Sequence, residues 1–468
     1  MPRSLLLASL LLASAAGAQS FQGLGLLPDN SQALARATSN QGDVIVGLGE
    51  GLTTLDLDRA QIWTPQAGLR YLQDAIAQDF GTDTTGWALR HADDVSPDGR
   101  VIVGRGVYDG RQSPFRWTPT GGLVDLGTFD GVAHYAESTS DDGAVVATSD
   151  DGTVVAGGAW PEGATRPRAF RWTEATGMID LGTLGGAYAA AVGVSGDGRV
   201  VFGEADDESG RSRAVRWIDG GAADPLGALS DNGTGRATAS SPDGRFIVGA
   251  SVTDDSVWEA FRWTEEGGMV GLGLLDGGRV RARDSRAFDT SADGRVVVGG
   301  VLNVGGYYEA FAWTDREGMR LLQPILEDEY GLDLDGWVLV QATSISDDGT
   351  VIVGYGFNPD GVYEGWRAEV RLVTAEEEDA QRAGLRLVAA PNPSADHATL
   401  TLSLDRAGDA TISVYDVLGR EVAAPHRGPL AAGTHRLPLD TSALPAGLYV
   451  ARAEVGGLAV SRTLTVVP

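Results

Sequence analysis

The sequence predicts an all-β protein, a seven-bladed β-propeller followed by a small Ig-like β-sandwich. Three observations lead there. Within its 468 residues a tryptophan recurs seven times between residues 63 and 366, at intervals of about 45–55 residues. A Ser-x-Asp-Gly turn and a β-branched run ending in glycine recur with it. Beyond residue 384 the repeat stops, and short stretches of alternating polarity take over.

The first 18 residues read as an address. Arg3 precedes an apolar run from Leu5 to Leu12, and Ala16-Gly17-Ala18 offers a small-residue cleavage site. Residues 1–18 are therefore expected to be a signal peptide, because the apolar run is shorter than the roughly 20 residues that span a bilayer. No later segment is long and apolar enough to cross one, so a transmembrane segment is not expected. The formal charge is −28, with 64 acidic residues against 36 arginines and no lysine. Nucleic acid and anionic membrane surfaces would be repelled. Cysteine is absent, which excludes disulfides, thiolate metal sites and cysteine nucleophiles.

The repeat occupies the predicted propeller, residues 19–372. Its tryptophans are Trp63, Trp117, Trp172, Trp217, Trp263, Trp313 and Trp366. Its turn appears as Ser96-Pro97-Asp98-Gly99, Ser195-Gly196-Asp197-Gly198, Ser241-Pro242-Asp243-Gly244, Ser291-Ala292-Asp293-Gly294 and Ser346-Asp347-Asp348-Gly349. Unit one has the degenerate form Ser39-Asn40-Gln41-Gly42, and unit three offers two candidates, at Ser140 and Ser149. Asp-Gly suits a tight turn, since glycine tolerates positive φ and aspartate bonds the local backbone. The following runs, such as Val101-Ile102-Val103-Gly104, read as buried strands. In Phe115-Arg116-Trp117 and Phe261-Arg262-Trp263 the rings fall at period two, so they should face the core with the guanidinium facing out. The tryptophans are read as structural core. A linear solenoid is the competing architecture, but it would want a shorter and more regular period. An N-terminal strand able to complete the last blade, near Leu24-Gly25-Leu26-Leu27, favours the closed ring.

Ala169-Phe170-Arg171-Trp172, the segment from Gly177 to Gly186 and Ser195-Gly196-Asp197-Gly198 resemble the extracellular repeats named for their His-Ala-Phe signature, the HAF-type repeats. The chain departs from that signature with Arg168, Glu259 and Glu309 where histidine is usual. The resemblance implies export and repetition and carries no defined chemistry.

Residues 69–106 and 319–356 align without a gap at an offset of 250. Leu72, Ile76 and Phe80, like Leu322, Leu326 and Tyr330, fall at helical spacing on one face. Each copy should be a short helix, an Asp- and Gly-rich loop, and a strand carrying Trp87 or Trp337. Asp83, Trp87, Asp333, Asp335 and Trp337 are thus candidate residues of a binding rim. Packing that stiffens the ring is the competing reading.

Residues 373–384 carry Glu376-Glu377-Glu378-Asp379 and read as a solvated acidic linker. Residues 385–468 hold seven arginines and seven acidic residues, a neutral module beside an acidic one. Thr399–Leu404, Thr411–Tyr415 and Gly447–Val450 read as antiparallel strands of a small sandwich, with a hairpin turn at Asp416–Glu421. Pro391-Asn392-Pro393, then Tyr415-Asp416 with Gly419-Arg420, then Pro445 with Gly447 and Tyr449, and a strand ending near Val467, resemble the C-terminal sorting domain of type IX secretion. That resemblance implies handling by the type IX secretion machinery, passage through inner and outer membranes, and a cell-surface or extracellular destination. A fibronectin-like adhesive domain is the alternative.

For chemistry the sequence offers little. G-x-S-x-G, HExxH, a phosphate-cradling glycine loop and CxxC are all missing. His91 and His134 are the only histidines of the repeat region. No catalytic residue, metal ligand or cofactor is assigned. Asp94-x-Ser96-x-Asp98-Gly99 and Asp289-x-Ser291-x-Asp293-Gly294 imitate the start of a calcium loop but lack the closing bidentate Glu. Two function classes follow. The favoured one is an exported, non-catalytic propeller that binds a glycan or a protein. The other is a secreted Asp/Glu-dependent polysaccharide hydrolase or lyase.

Overall fold

The structure, a computed structural model, describes residues 19–51, 58–127, 146–159, 161, 166–231, 233–275, 282–372, 385–392, 394–416, 420–445, 447–456 and 458–466. The expected signal peptide, the acidic linker, the turn candidate at Ser140, His134, Pro393 and Gly419 lie outside those residues.

The chain is nearly all-β. Between residues 20 and 369 the described strands form seven four-stranded antiparallel sheets, arranged like the blades of a propeller. The second is typical: Trp87–Val95, Ile102–Tyr108, Arg111–Thr118 and Gly122–Asp125 pair in chain order. The seventh differs, because its fourth strand is Ser20–Gly23, which pairs with Tyr363–Glu369 from the far end of the repeat region. Leu24 then donates its N–H to Gly365 O at 2.9 Å. Leu126, Leu181, Leu226 and Leu272 make the same bond just past the fourth strands of other sheets.

The core lies between sheets rather than within one. Val101, Val103, Val155 and Phe170 join the second sheet to the third, and Leu24, Ala35, Ile45, Trp63, Val351 and Val353 join the seventh to the first. Five of the repeated tryptophans are buried in these seams: Trp63, Trp117, Trp217, Trp263 and Trp366. Trp172 and Trp313 are half-buried against their clusters. Area removed from water at every seam is the main attraction between sheets.

The recurring turn has one design. In the second sheet Ser96 Oγ donates to Asp98 Oδ1 at 2.7 Å and accepts the Val101 N–H at 2.9 Å. Gly99 N–H donates to Ser96 O, with Gly99 at φ +72°. Of the two candidates in unit three, Ser149-Asp150-Asp151-Gly152 makes this turn. In unit one the aspartate is displaced, and Ser39 Oγ donates to Asp43 Oδ1.

Each turn glycine lies on the preceding sheet. A Cβ on Gly99 would come 2.7 Å from Val44, and one on Gly152 would come 2.6 Å from Val101. Gly42 lies likewise on Val351 of the seventh sheet, 2.6 Å from where its Cβ would be. An arginine of the third strand completes the seam. Arg116 Nε donates to Gly152 O at 2.7 Å, and Arg367 Nε donates to Gly42 O at 3.0 Å. This corrects the expectation that these guanidinium groups face out: Arg116 is capped by the next sheet's turn, and Arg262 stacks 4.5 Å from the Phe246 ring. Alternation along a strand separates two faces, and here both faces meet a neighbour.

The first duplicated segment forms the expected helix, Leu72–Phe80. The second is a single turn, Leu322–Pro324, that widens into a π-helical turn over Ile325–Glu329. In both, a glutamine ties the helix to the strand that follows. Gln73 donates to Trp87 O and accepts from Leu89 N–H, and Gln323 does the same with Trp337 and Leu339.

Residues 385–466 form a separate pair of antiparallel sheets. One holds Arg386–Ala390, His397–Leu404 and Gly433–Asp440, and the other holds Glu421–Leu430, Gly408–Asp416, Gly447–Val455 and Leu458–Val466. Leu387, Leu400, Leu402, Ile412, Val414 and Leu464 are among the residues of their shared core.

Gly42→Ala and Gly68→Ala separate backbone cost from seam collision. Both glycines have left-handed φ, +64° and +67°, but nothing lies within 4 Å of a Cβ on Gly68. Each change should cost about 1–2 kcal/mol for the backbone. Gly42→Ala should lose about 1–3 kcal/mol more through overpacking, seen as a larger drop in the denaturant midpoint.

Candidate functional site

The first strands of the sheets surround a central channel of about 1340 Å³. Its wall carries polar and charged side chains where a solid core would carry aliphatic ones. In six sheets the first strand is bulged after an alanine: Ala35, Ala92, Ala191, Ala237, Ala287 and Ala342. A bulge bends the strand and re-aims the side chains beside it. Two of the bulged residues reach the next strand around the channel. Thr238 Oγ1 donates to Ala287 O at 2.7 Å, and Thr343 Oγ1 donates to Ala35 O at 3.0 Å.

The end of the channel nearest the turns is acidic. Asp94 Oδ2 accepts the Thr148 N–H of the next sheet at 3.0 Å. Asp289, at the matching position, accepts from the Ile345 N–H and Ser344 Oγ, both at 2.8 Å. Asn40 and Asp347 bond reciprocally across the seam between the first and seventh sheets. Desolvation pushes the carboxyls of Asp94 and Asp347 up to about 6 and that of Asp289 to about 7. Asp150 rises to about 8, through desolvation first and then the charges of Asp347, Asp94, Asp151 and Asp197. Its Oδ2 is buried without a hydrogen-bond partner.

The other end is chemically different. It is lined by Arg36, Arg236 and Arg286, by Glu50, Glu204 and Gln341, and by several aromatic rings, among them Trp258, Tyr308 and Tyr363. The Nε atoms of all three arginines are buried without a hydrogen-bond partner. Arg236 lies 3.7 Å from Glu204, and Arg286 stands 5.4 Å from the centre of the Trp258 ring.

The residues singled out from the duplicated segments lie elsewhere. Trp87 is 8% exposed, stacked on Tyr108 at 4.7 Å and edge-on to Phe115. Trp337 is 7% exposed and meets Phe21 edge-on at 5.6 Å. Asp83 accepts the Thr85 N–H, and Asp333 accepts the Asp335 N–H, each holding its own loop. Asp335 sits at φ +48°. None of the five lines the channel. As for the calcium reading, Asp94 and Asp289 hold backbone N–H groups, while Asp98 and Asp293 hold their own turns. Among the described residues no group of three or more acidic or histidine side chains is placed to hold a metal ion.

The channel residues were missed because they occupy the segment where the repeats differ. A signal existed. Once the Ser-x-Asp-Gly turns are aligned, Arg236, Arg286 and Gln341 fall one residue before the bulge alanine, and in the fourth sheet Ala190 does.

In the tail, Asn392 Oδ1 accepts the Thr465 N–H at 2.8 Å, beside Pro391. Tyr449 donates to Pro445 O at 2.8 Å, close to Gly447. Asp416 accepts from the Arg420 backbone and guanidinium, closing the hairpin after Tyr415. The family model described as the secretion system C-terminal sorting domain matches residues 389–467. The tail is a type IX sorting domain. It marks the protein for export to the cell surface or the extracellular space.

No curated protein matches the chain. Solved structures resemble it distantly. TolB from Acinetobacter baumannii is 15% identical with a TM-score of 0.34, covering 51% of this chain. This chain spans about half of that protein, 53%. An oligogalacturonate lyase from Vibrio parahaemolyticus is 10% identical, TM-score 0.46, over 75% of this chain and 97% of that one. PorZ, a surface component of the type IX secretion system of Porphyromonas gingivalis, is 12% identical, TM-score 0.37, over 94% and 59%.

The acidic end has a measurable consequence. A carboxyl raised in the folded state contributes its full stability below its unfolded pKa near 4 and loses it as pH rises through the folded value. The unfolding midpoint should therefore fall between about pH 6 and about pH 8, the window of the four aspartates. Asp150→Asn should flatten that fall, so that its midpoint exceeds the wild type's most at the alkaline end.

Proposed function

We propose that the chain is an exported, non-catalytic binding protein, a seven-bladed propeller that holds a glycan or protein ligand at the arginine-bearing end of its channel. The observation that carries this is the division of the channel. One end is held by carboxylates engaged with backbone N–H groups, while the other presents arginine and aromatic side chains to open space. The signal peptide starts export across the inner membrane, and the Ig-like tail hands the protein to the type IX machinery. We read the loops at Asp83 and at Asp333–Asp335 as supports of the ring, since Trp87 and Trp337 are buried against other rings.

One feature favours the second reading, a hydrolase or lyase. Asp150 has an unpartnered oxygen and a carboxyl raised to about 8, as a general acid would. Turnover of a polysaccharide that Asp150→Asn abolishes would replace the binding reading with this one. The expected result is retention without turnover when the secreted protein is immobilised and screened against glycans and surface proteins.

Export is tested separately. In a bacterium with type IX secretion, the chain cut after residue 384 should accumulate inside the outer membrane. The full chain should reach the surface or the medium. Equal recovery outside would remove the tail's role.

A further inference from the structure

The arginine-bearing end of the channel is an ordered array. In the fifth, sixth and seventh sheets, Arg236, Arg286 and Gln341 occupy the same register in the first strand, opposite Ala250, Gly300 and Tyr355. In the same three sheets an aromatic residue opens the third strand: Trp258, Tyr308 and Tyr363. All six line the channel. At the same register the first four sheets have Asp58, Gln112, Pro167 and Ser212. Arg36 of the first sheet also lines the channel, at the bulge position that Thr238 and Thr343 occupy in the fifth and seventh sheets, and Leu34 stands in the row itself. Polar group and aromatic face therefore alternate along one arc of the wall, from the fifth sheet to the seventh.

Resting on the binding function proposed above, we propose that this arc is a subsite row for an acidic saccharide, a sugar chain bearing carboxylates. The planar guanidinium fork of Arg236 or Arg286 matches a carboxylate with two parallel hydrogen bonds. Arg236 already faces Glu204 at 3.7 Å, so a ligand carboxylate would compete with that ion pair, while Arg286 stands beside the Trp258 ring. The rings of Trp258, Tyr308 and Tyr363 offer apolar faces edged with polar groups, which suit the C–H faces of pyranose rings. Gln341 Oε1 accepts the Tyr355 hydroxyl at 2.7 Å, and its amide NH2 can donate to sugar hydroxyls. A denser polyanion such as nucleic acid is disfavoured by Glu50 and Glu204 at the same end and by the charge of −28.

The test titrates the full secreted chain by calorimetry with oligosaccharides of galacturonate, mannuronate and guluronate. Their methyl esters and poly-L-glutamate serve as further probes. At least one uronate oligomer should bind, with its uncharged ester at least about tenfold weaker. Arg286→Gln and Arg236→Gln should each weaken uronate binding by about tenfold or more, as should Tyr308→Ala. Arg320→Gln, on the outer surface and paired with Glu317 and Glu329, should leave it unchanged. Melting curves confirm that each variant is folded, and the two arginine variants serve as checks on each other. Equal binding of acid and ester would overturn the acidic ligand while keeping the binding protein. Poly-L-glutamate binding lost in Arg286→Gln, without uronate binding, would assign the row to an acidic peptide. No binding by any uronate overturns the proposal.

Discussion

The structure depends on one contact repeated around the channel, the seating of a turn glycine on the sheet before it. Gly99 on Val44, Gly152 on Val101, Gly198 on Val154 and Gly42 on Val351 are the same contact in different seams. The approach is close enough that a methyl group would collide. It is held from both sides. Serine and aspartate lock the turn from within, and the arginine of the preceding sheet caps its carbonyl from without. Sheets of four short strands have little stability alone, since each has two apolar faces to cover. Seating every sheet on its neighbour covers both.

That constraint divides the molecule into a conservative end and a free one. Where the turns converge, the side chains are committed to neighbours: Asp94 and Asp289 to the next sheet's backbone, Asn40 and Asp347 to each other. At the opposite end the first strands are held by ladder bonds and by the bulge, so their channel-facing residues are not needed to join one sheet to the next. Arg236, Arg286 and Gln341 share a register, and their partners there, Glu204, Trp258 and Tyr355, are other side chains of the channel wall rather than the backbone of a seam. A scaffold of this kind separates the residues that fold it from those that meet a ligand. The sorting tail adds destination without touching that division.

Much of the fold was legible because its signals are local. Ser96 and Asp98 make their turn within six residues, and the Phe115-Arg116-Trp117 alternation marks a strand whose neighbours need not be known. The sorting domain was legible for the same reason, through Pro391-Asn392 and the Tyr449 segment. The helix at Leu72–Phe80 followed from its spacing, but its copy did not form a regular helix. The apolar spacing of the two copies is the same, and the difference lies in the winding of Ile325–Glu329, which spacing does not encode. The direction of Arg116 was misjudged, since a strand's second face is read as solvent unless another sheet is known to cover it.

The sequence by itself determined the repeat, the turn chemistry, the strand-forming runs and the exported tail, all of which depend on residues near one another in the chain. Only the tertiary structure decided which side chains share the channel. Arg36 and Arg286 are 250 residues apart, and Asn40 and Asp347 more than 300, yet the return of the last sheet onto the first brings each pair to one wall or one seam. The physical reason is closure. A residue's place on the inner wall follows from the rotation of every sheet before it, which is set by packing at the seams and leaves no local trace in the sequence.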